Sequence, residues 1–303
     1  MRDTFVKCLI ERAKIDKRIY VISPDMGFSV FEEFIKRYPN RFLNVGIAEQ
    51  NAIGVAAGVA LSGKIVYVYS IIPFVNMRCY EQVRVDVAYM NSNVKLVGIG
   101  AGFTYGSAGL THQAIEDIAI MRSMPNMTVC APGDPCEVEQ IVKQSFLYKG
   151  PMYIRLAKNK EPMLHSHTDK ITIGKASIMR KGKDIALLAT SNLLATALRW
   201  SEEWRKEGIK AAVVSMHTIK PLDYNYIRSL INKKIPIITL EEHNIIGGLG
   251  SAVAEIIAES GMAIKFKRIG IQDIYSHFVG SAEFQRKKFN LINKPDLRKF
   301  FTK

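Results

Sequence analysis

Several things are scarce in this 303-residue chain, and each scarcity excludes something. No apolar run is long enough to cross a bilayer, which argues against a helical membrane protein. Only four cysteines occur (Cys8, Cys79, Cys130 and Cys136); no CxxC pair is among them and Cys130 and Cys136 are six apart. That pattern lacks metal spacing and suits a reduced, cytoplasmic protein with free thiols. The first residues, Met1 to Lys7, carry charges throughout and lack the apolar core of a signal peptide. No sequence repeat or low-complexity tract is visible. Acidic side chains are also short: 28 Asp and Glu against 42 Lys and Arg leave a net charge of +14. Such an excess points to nucleic acid, an acidic protein or a phosphorylated substrate. The bases are scattered, however. Lys175, Arg180, Lys181 and Lys183 form one loose cluster and Arg286, Lys287 and Lys288 another. Neither is interleaved with stacking aromatics, so a solvated face is expected rather than a nucleic-acid groove.

The length suits two domains, each with its own core. Short β-branched runs alternate with longer amphipathic ones, the pattern of a parallel sheet with helices on its faces. Strands are expected at 18–22, 41–45, 64–69, 94–99, 127–130 and 152–155, and helices at 30–38, 48–61, 77–89, 113–123 and 135–148. Asp134 can cap the last helix, with Pro135 at its first position. The pattern lapses from Leu156 to Lys170, where Lys158, Asn159, Lys160, Glu161, Pro162 and then His165-Ser166-His167 read as a linker. A second alternating block follows, with strands at 184–189, 210–215, 236–240 and 263–269 and helices at 192–206, 223–232 and 248–260. The expectation is a two-domain α/β chain: a first domain over 1–160, a linker over 161–175 and a smaller α/β domain over 176–303.

Ligands of parallel sheets sit at the carboxyl ends of the strands, and the unusual residues of the first domain gather there. Ser23-Pro24-Asp25 follows one strand, Gly46 to Glu49 another, Ser70 to Phe74 a third and Ala101 to Gln113 a fourth. Glu49 falls in the first turn of a helix, where a carboxylate is ordinarily a dipole partner and nothing more. Small residues follow it (Gly54, Ala56, Ala57, Gly58, Ala60) and let another backbone approach closely. The glycine-rich run from Gly98 to Gly109 implies unusual turns or a backbone pressed against something. It ends at Thr111-His112-Gln113, where Thr111 is placed to cap the next helix with Glu116. Phe74 alone reads as core and Arg155 as a strand-end charge able to hold an anion. Gly247 to Gly250 lack the dinucleotide spacing and read as a strand-to-helix turn. His217 and His243 read as packing or surface residues, and His165 and His167 as linker decoration.

Gly46-Ile47-Ala48-Glu49-Gln50, Tyr80 to Asp86, Gly109-Leu110-Thr111-His112-Gln113 and Ala131-Pro132-Gly133-Asp134, in that order, resemble the pyrimidine-binding domain of transketolases. The deoxyxylulose-phosphate synthase branch is similar too. Met216 to Asp223 and Glu241 to Gly250 resemble the family's C-terminal domain. The Gly-Asp-Gly motif that full-length members use for the diphosphate is not found in this sequence. The resemblance therefore implies the C-terminal subunit of a split transketolase, with thiamine diphosphate as cofactor. It implies a separate N-terminal subunit that supplies the diphosphate site and most of the contacts to Mg or Ca, in a heterotetramer that also pairs this chain with a second copy.

By the same resemblance, Glu49 hydrogen-bonds the aminopyrimidine, where burial against an apolar ring raises its pKa, and Phe74 stacks on that ring. The spacing from Phe74 to Tyr80 differs by one residue from the synthase-like pattern. Asp25 lies near the ring, His112 bonds the donor oxygen and Arg155 grips the substrate phosphate. Metal ligands are not expected on this chain, and sugar phosphates are the expected substrates. Ala108 stands three residues before Thr111, where familiar members carry an Asp that reads a sugar hydroxyl, so the substrate departs from an ordinary pentose or hexose phosphate. Two alternatives stay open: the beta subunit of a 2-oxo-acid dehydrogenase decarboxylase component, and a non-catalytic binding chain of the same fold.

Overall fold

The computed structural model describes residues 1–158, 161–166, 168–297 and 300. Asn159, Lys160 and His167, assigned above to the linker, lie outside the described residues. The strands are β1 (Ile19–Ser23), β2 (Phe42–Asn44), β3 (Ile65–Ile71), β4 (Val94–Ile99), β5 (Thr128–Cys130), β6 (Met152–Leu156), β7 (Ser177–Arg180), β8 (Ile185–Ala189), β9 (Ala211–Ser215), β10 (Thr218–Lys220), β11 (Ile237–Asn244) and β12 (Phe266–Ile271). The helices are α1 (Arg2–Ile15), α2 (Glu32–Arg37), α3 (Glu49–Leu61), α4 (Tyr80–Gln82), α5 (Asp117–Ser123), α6 (Pro135–Ser145), α7 (Leu194–Lys206), α8 (Tyr224–Asn232), α9 (Leu249–Glu259) and α10 (Ala282–Lys288).

Among the described residues, the strands form a seven-stranded sheet, ordered β10-β5-β6-β4-β3-β1-β2, and a five-stranded one, β12-β11-β8-β9-β7. Both are parallel except for one antiparallel edge strand each, β10 and β7. Helices flank both, so the chain has the two-domain α/β architecture expected. β3, β4 and β6 are buried along their whole length, as near-continuous apolar strands covered on both faces must be. Helix α1 was not foreseen, although Phe5, Val6, Leu9, Ile10 and Ala13 bury one face at helical spacing.

The expected helix over 77–89 is resolved differently. A wide turn over Pro73–Met77 precedes α4, and a second wide segment over Val83–Tyr89 follows it. The first is closed by an i→i+5 bond from Arg78 N–H to Pro73 O at 3.0 Å. Such a turn uses one more residue than an α-helical turn. The helix expected from Gln113 begins only at Asp117; Thr111 caps nothing and instead lies in a tight turn over Leu110–His112.

The domains interlock. Strand β10 belongs by sequence to the second block but pairs with β5 of the first sheet, Thr218 opposite Cys130 and Lys220 opposite Val129. Asp134 caps α6 as expected, accepting from Glu137 N–H at 2.8 Å. Its other oxygen takes the backbone N–H groups of Leu164 and His165, each at 2.8 Å. His165 is therefore not linker decoration. It is buried, 3.2 Å from Asp134 and 3.5 Å from Glu137, with Ser177 Oγ at 3.0 Å from its Nε2. Burial pulls its pKa down, but the bond to Asp134 and the charges of Glu137 and Asp134 hold it above the ordinary value. Glu137 is pushed up to about 7 by burial, against the pull of His165.

His217 lies in this joint, buried, with its Nδ1 3.0 Å from Thr218 Oγ1. Burial first, then the charge of His165, lower its pKa to about 4. Folding keeps this imidazole neutral, so its stabilisation is present above the unfolded value near 6.5 and is lost as pH falls towards 4. The loss is on the order of 3 kcal/mol. Asp16 and Asp134, whose pKa values are lowered, lose their stabilisation only below about pH 4 and fall outside this window. Glu137 and Glu241, both pushed up to about 7 by burial, gain stability over the same window, so the readout is the difference between variant and wild type. In denaturant unfolding between about pH 7 and 4, His217→Gln should gain stability relative to the wild type as pH falls; parallel curves would contradict the assignment.

Candidate active site

The carboxyl ends of β1 to β4 carry the site. After β2, Ala48 is the N-cap of α3 and Glu49 its first residue, which sets the carboxylate at the positive end of the helix. Glu49 is buried, its side chain only 6% exposed, and its Oε2 accepts from Arg78 Nη1 at 2.8 Å. After β3, the wide turn presents Phe74 and Arg78 together. The guanidinium carbon lies 4.2 Å from the Phe74 ring centre. Arg78 thus lies flanked by an aromatic ring and a buried carboxylate. The resemblance implied a cofactor ring beside Glu49; in the chain by itself the Arg78 guanidinium lies there. Cys79, beneath it, has its thiol pushed up to about 12 by burial and by the charge of Glu49.

The loop after β4 closes the other side. Gly100 and Gly102 have φ of +101° and +58°. A Cβ on Gly100 would meet the Tyr105 ring at 2.4 Å, and one on Gly102 the Glu242 side chain at 2.4 Å, so both positions require glycine. Glu242, completely buried on β11, accepts from Phe103 N–H at 3.0 Å and Asn192 Nδ2 at 3.0 Å, and pairs with Arg286 through Nε at 2.9 Å and Nη2 at 2.8 Å. The loop returns to His112, whose ring meets the Phe74 ring at 5.2 Å, edge on, and the Tyr105 ring at 6.2 Å. The His112 Nδ1 is 2.9 Å from Thr111 Oγ1. Gln113 is buried, and neither of its amide atoms has a partner among the described residues.

Asp25 is exposed at the end of β1 and exchanges hydrogen bonds with Asn44, which also accepts from Gly46 N–H. It lines a cavity of about 210 Å³ with Arg2, Tyr69, Ser70 and Tyr105. Glu49, Phe74 and His112 therefore form one constellation, and Asp25 shares the Tyr105 wall beside it. Arg155 does not join them. It is fully buried and committed to Asp117 (2.7 and 3.3 Å), Ser191 Oγ (3.1 Å) and the carbonyls of Ala114 (2.9 Å) and Glu242 (3.0 Å). With no exposed surface and its donors engaged, it cannot grip a substrate phosphate, and that expectation is corrected.

Residues 1–162 match the family model described as transketolase, pyrimidine binding domain, and residues 174–290 that of transketolase, C-terminal domain. The chain belongs to the transketolase family. It is 39% identical to the 6-deoxy-6-sulfo-D-fructose transketolase subunit SqwH of Clostridium sp. (strain MSTE9), over 98% of this chain and 92% of that protein. It is 39% identical to an apulose-4-phosphate transketolase subunit of Actinobacillus succinogenes (strain ATCC 55618 / DSM 22257 / CCUG 43843 / 130Z), over 88% of this chain and 86% of that one. Among solved structures it is similar to a split gene transketolase described as an inactive beta4 tetramer, with a TM-score of 0.87 and 35% identity over 96% of this chain and 93% of the other. Among the described residues, no helix is long and apolar enough to cross a membrane.

In this transketolase-family chain, sequence reasoning passed over Arg78, Tyr105, Asp117 and Glu242. The spacing of Phe74 and Arg78, four apart in a helical run, was the available signal for the first. Gly247 to Gly250 do form a strand-to-helix turn, with Glu241 accepting from Leu249 and Gly250 N–H at 2.7 and 2.8 Å. His243 packs beneath it, buried, as expected.

The Arg155 correction has a direct test. Arg155→Leu strands Asp117 without its cation and should cost about 3–5 kcal/mol in denaturant unfolding. A substrate-holding arginine would instead leave stability unchanged and raise KM.

Proposed function

We propose that this chain is the C-terminal subunit of a split, thiamine-diphosphate-dependent transketolase, moving a two-carbon ketol unit from a ketose to an aldose acceptor together with a separate N-terminal subunit. One observation carries the reading: a buried carboxylate at a helix N-terminus and an aromatic face flank a planar cation, Arg78, in the arrangement an aminopyrimidine needs. The residues present fit the ring half of the cofactor. Its thiazolium, when bound, supplies the electron sink for carbon–carbon cleavage.

The chain's own residues orient and move protons. Glu49 holds or releases a proton at its Oε2, shielded from water. Phe74 provides the stacking face. His112, held edge on between Phe74 and Tyr105, is placed to bond a donor oxygen. Asp25 borders the same wall. With Arg155 engaged elsewhere, the anionic end of a sugar falls to an exposed cation, and Lys158 lies 5.2 Å from the Tyr105 ring centre. Ala108 offers no hydroxyl-reading acid, and two relatives are named for 6-deoxy-6-sulfo-D-fructose and apulose 4-phosphate, which supports an unusual sugar. The diphosphate grip and its Mg or Ca belong to the N-terminal subunit on this reading.

Pairing of two copies has support in α3. Ala52, Ala56, Ala57 and Ala60 pack into their own domain, while Gly54 and Gly58 face outward and a Cβ on Gly58 would meet nothing within 4 Å. A reduced, cytoplasmic heterotetramer follows from this reading.

The test is reconstitution. Purified with a candidate N-terminal subunit, thiamine diphosphate, Mg and a ketose phosphate, the chain should transfer a two-carbon unit; no transfer and no thiamine binding would sink the reading. Glu49→Gln should fold normally by circular dichroism yet lower turnover at least about a hundredfold. Near-normal turnover would remove Glu49 from the mechanism.

A further inference from the structure

Arg78 is peculiar among the charged residues of the site. Its guanidinium is planar and cationic, lies against the Phe74 ring at 4.2 Å and donates to Glu49 at 2.8 Å. Those are the two contacts that the proposed function gives to the cofactor ring. A ring entering there competes with Arg78 for both: Glu49 Oε2 already accepts from Arg78, and the guanidinium lies over the Phe74 ring. Yet Arg78 is weakly held. Its side chain is 44% exposed, and among the described residues Glu49 is the hydrogen-bond acceptor shown for it. The Arg78 end of the pair is half-exposed and solvent-screened, and its cation–π contact is modest. The side chain can leave towards solvent without moving the backbone of the wide turn, which is fixed by the Arg78 N–H bond to Pro73 O.

We propose that Arg78 is a built-in stand-in for the cofactor ring: in the isolated chain it closes the slot flanked by Phe74 and Glu49, and it must swing out when the ring enters. Arg78 is then a gate, and the isolated chain keeps its buried carboxylate paired until assembly completes the site. The inference rests on the thiamine reading, but binding by the isolated chain tests it apart from catalysis.

The experiment uses the full chain without a partner. Binding of thiamine, and separately of 4-amino-2-methylpyrimidine, is measured by calorimetry and ligand-observed NMR for wild type, Arg78→Ala, Arg78→Met and Arg78→Lys. Removing the gate should tighten binding of both probes about tenfold. Arg78→Lys keeps the charge but loses the flat face, and should fall between wild type and Arg78→Ala. Adding Glu49→Gln to Arg78→Ala should abolish the gain. Circular dichroism checks folding, and Arg78→Met preserves the stem packing should the alanine variant fail. Equal or weaker binding in the folded Ala or Met variant overturns the gate. Ketol transfer by the reconstituted wild-type pair is followed in parallel. Transfer without a gain in the variants refutes the gate alone, and a gain without transfer supports the gate while refuting the reaction.

Discussion

A guanidinium with no exposed surface stands where the first sheet, the glycine loop and the second domain meet. Burying the Arg155–Asp117 pair costs several kcal/mol per ion, a cost offset only when the geometry is good and the remaining hydrogen-bonding capacity is filled. Both conditions hold. Asp117 takes two guanidinium nitrogens and the Tyr153 hydroxyl, and sits in the first turn of α5 where the helix dipole favours it. The remaining donors reach Ala114 O, Ser191 Oγ and Glu242 O. Ala114 lies two residues beyond His112, and Glu242 anchors the start of the same loop at Phe103. The loop is therefore clamped at both ends by charges belonging to other elements, and the place of the His112 ring follows from that clamp.

The opposite wall depends on backbone geometry rather than charge. An i→i+5 turn after β3 presents Phe74 and Arg78 at the carboxyl end of the sheet, opposite the first residue of α3. Wide turns of this kind are uncommon and cluster at functional sites. Asp25, Glu49, Phe74 and His112 thus stem from the ends of four neighbouring parallel strands, β1, β2, β3 and β4, which is where such sheets bind ligands.

Most of this framework was legible from period and punctuation. The apolar runs of β3, β4 and β6 and the Asp134-Pro135 start of α6 announce themselves through burial and capping chemistry. What was hidden was long-range. Strand β10 joins a sheet formed some ninety residues earlier in the chain, and a three-residue strand carries no local signature strong enough to say so. His165 looked like linker because its carboxylate partners lie about thirty residues away on α6. Arg155 looked like a ligand-holding charge for the same reason: its identity was visible, its partners were not. Glycine was the reverse case. The crowding at Gly100 and Gly102 was readable as a close approach, while the side chains doing the crowding, Tyr105 and Glu242, became apparent only in three dimensions.

The polar and apolar parts of the site are satisfied to different degrees. The charged clamps are complete within the chain, yet Phe28, Ile47, Leu110 and Val279 stand exposed around the rim, at 92, 82, 47 and 68%. Each belongs to the site's own segments or touches one. Phe28 lines the cavity with Asp25, Ile47 lies two residues from Glu49, Leu110 lies two from His112, and Val279 faces Gly109. Isolated exposed apolar residues are ordinary on protein surfaces, but these four all stand next to residues of one site. On the split-subunit proposal these two features divide the work: the charged clamps within the chain hold the site's residues in place, and the exposed apolar side chains are left for the proposed N-terminal subunit to cover.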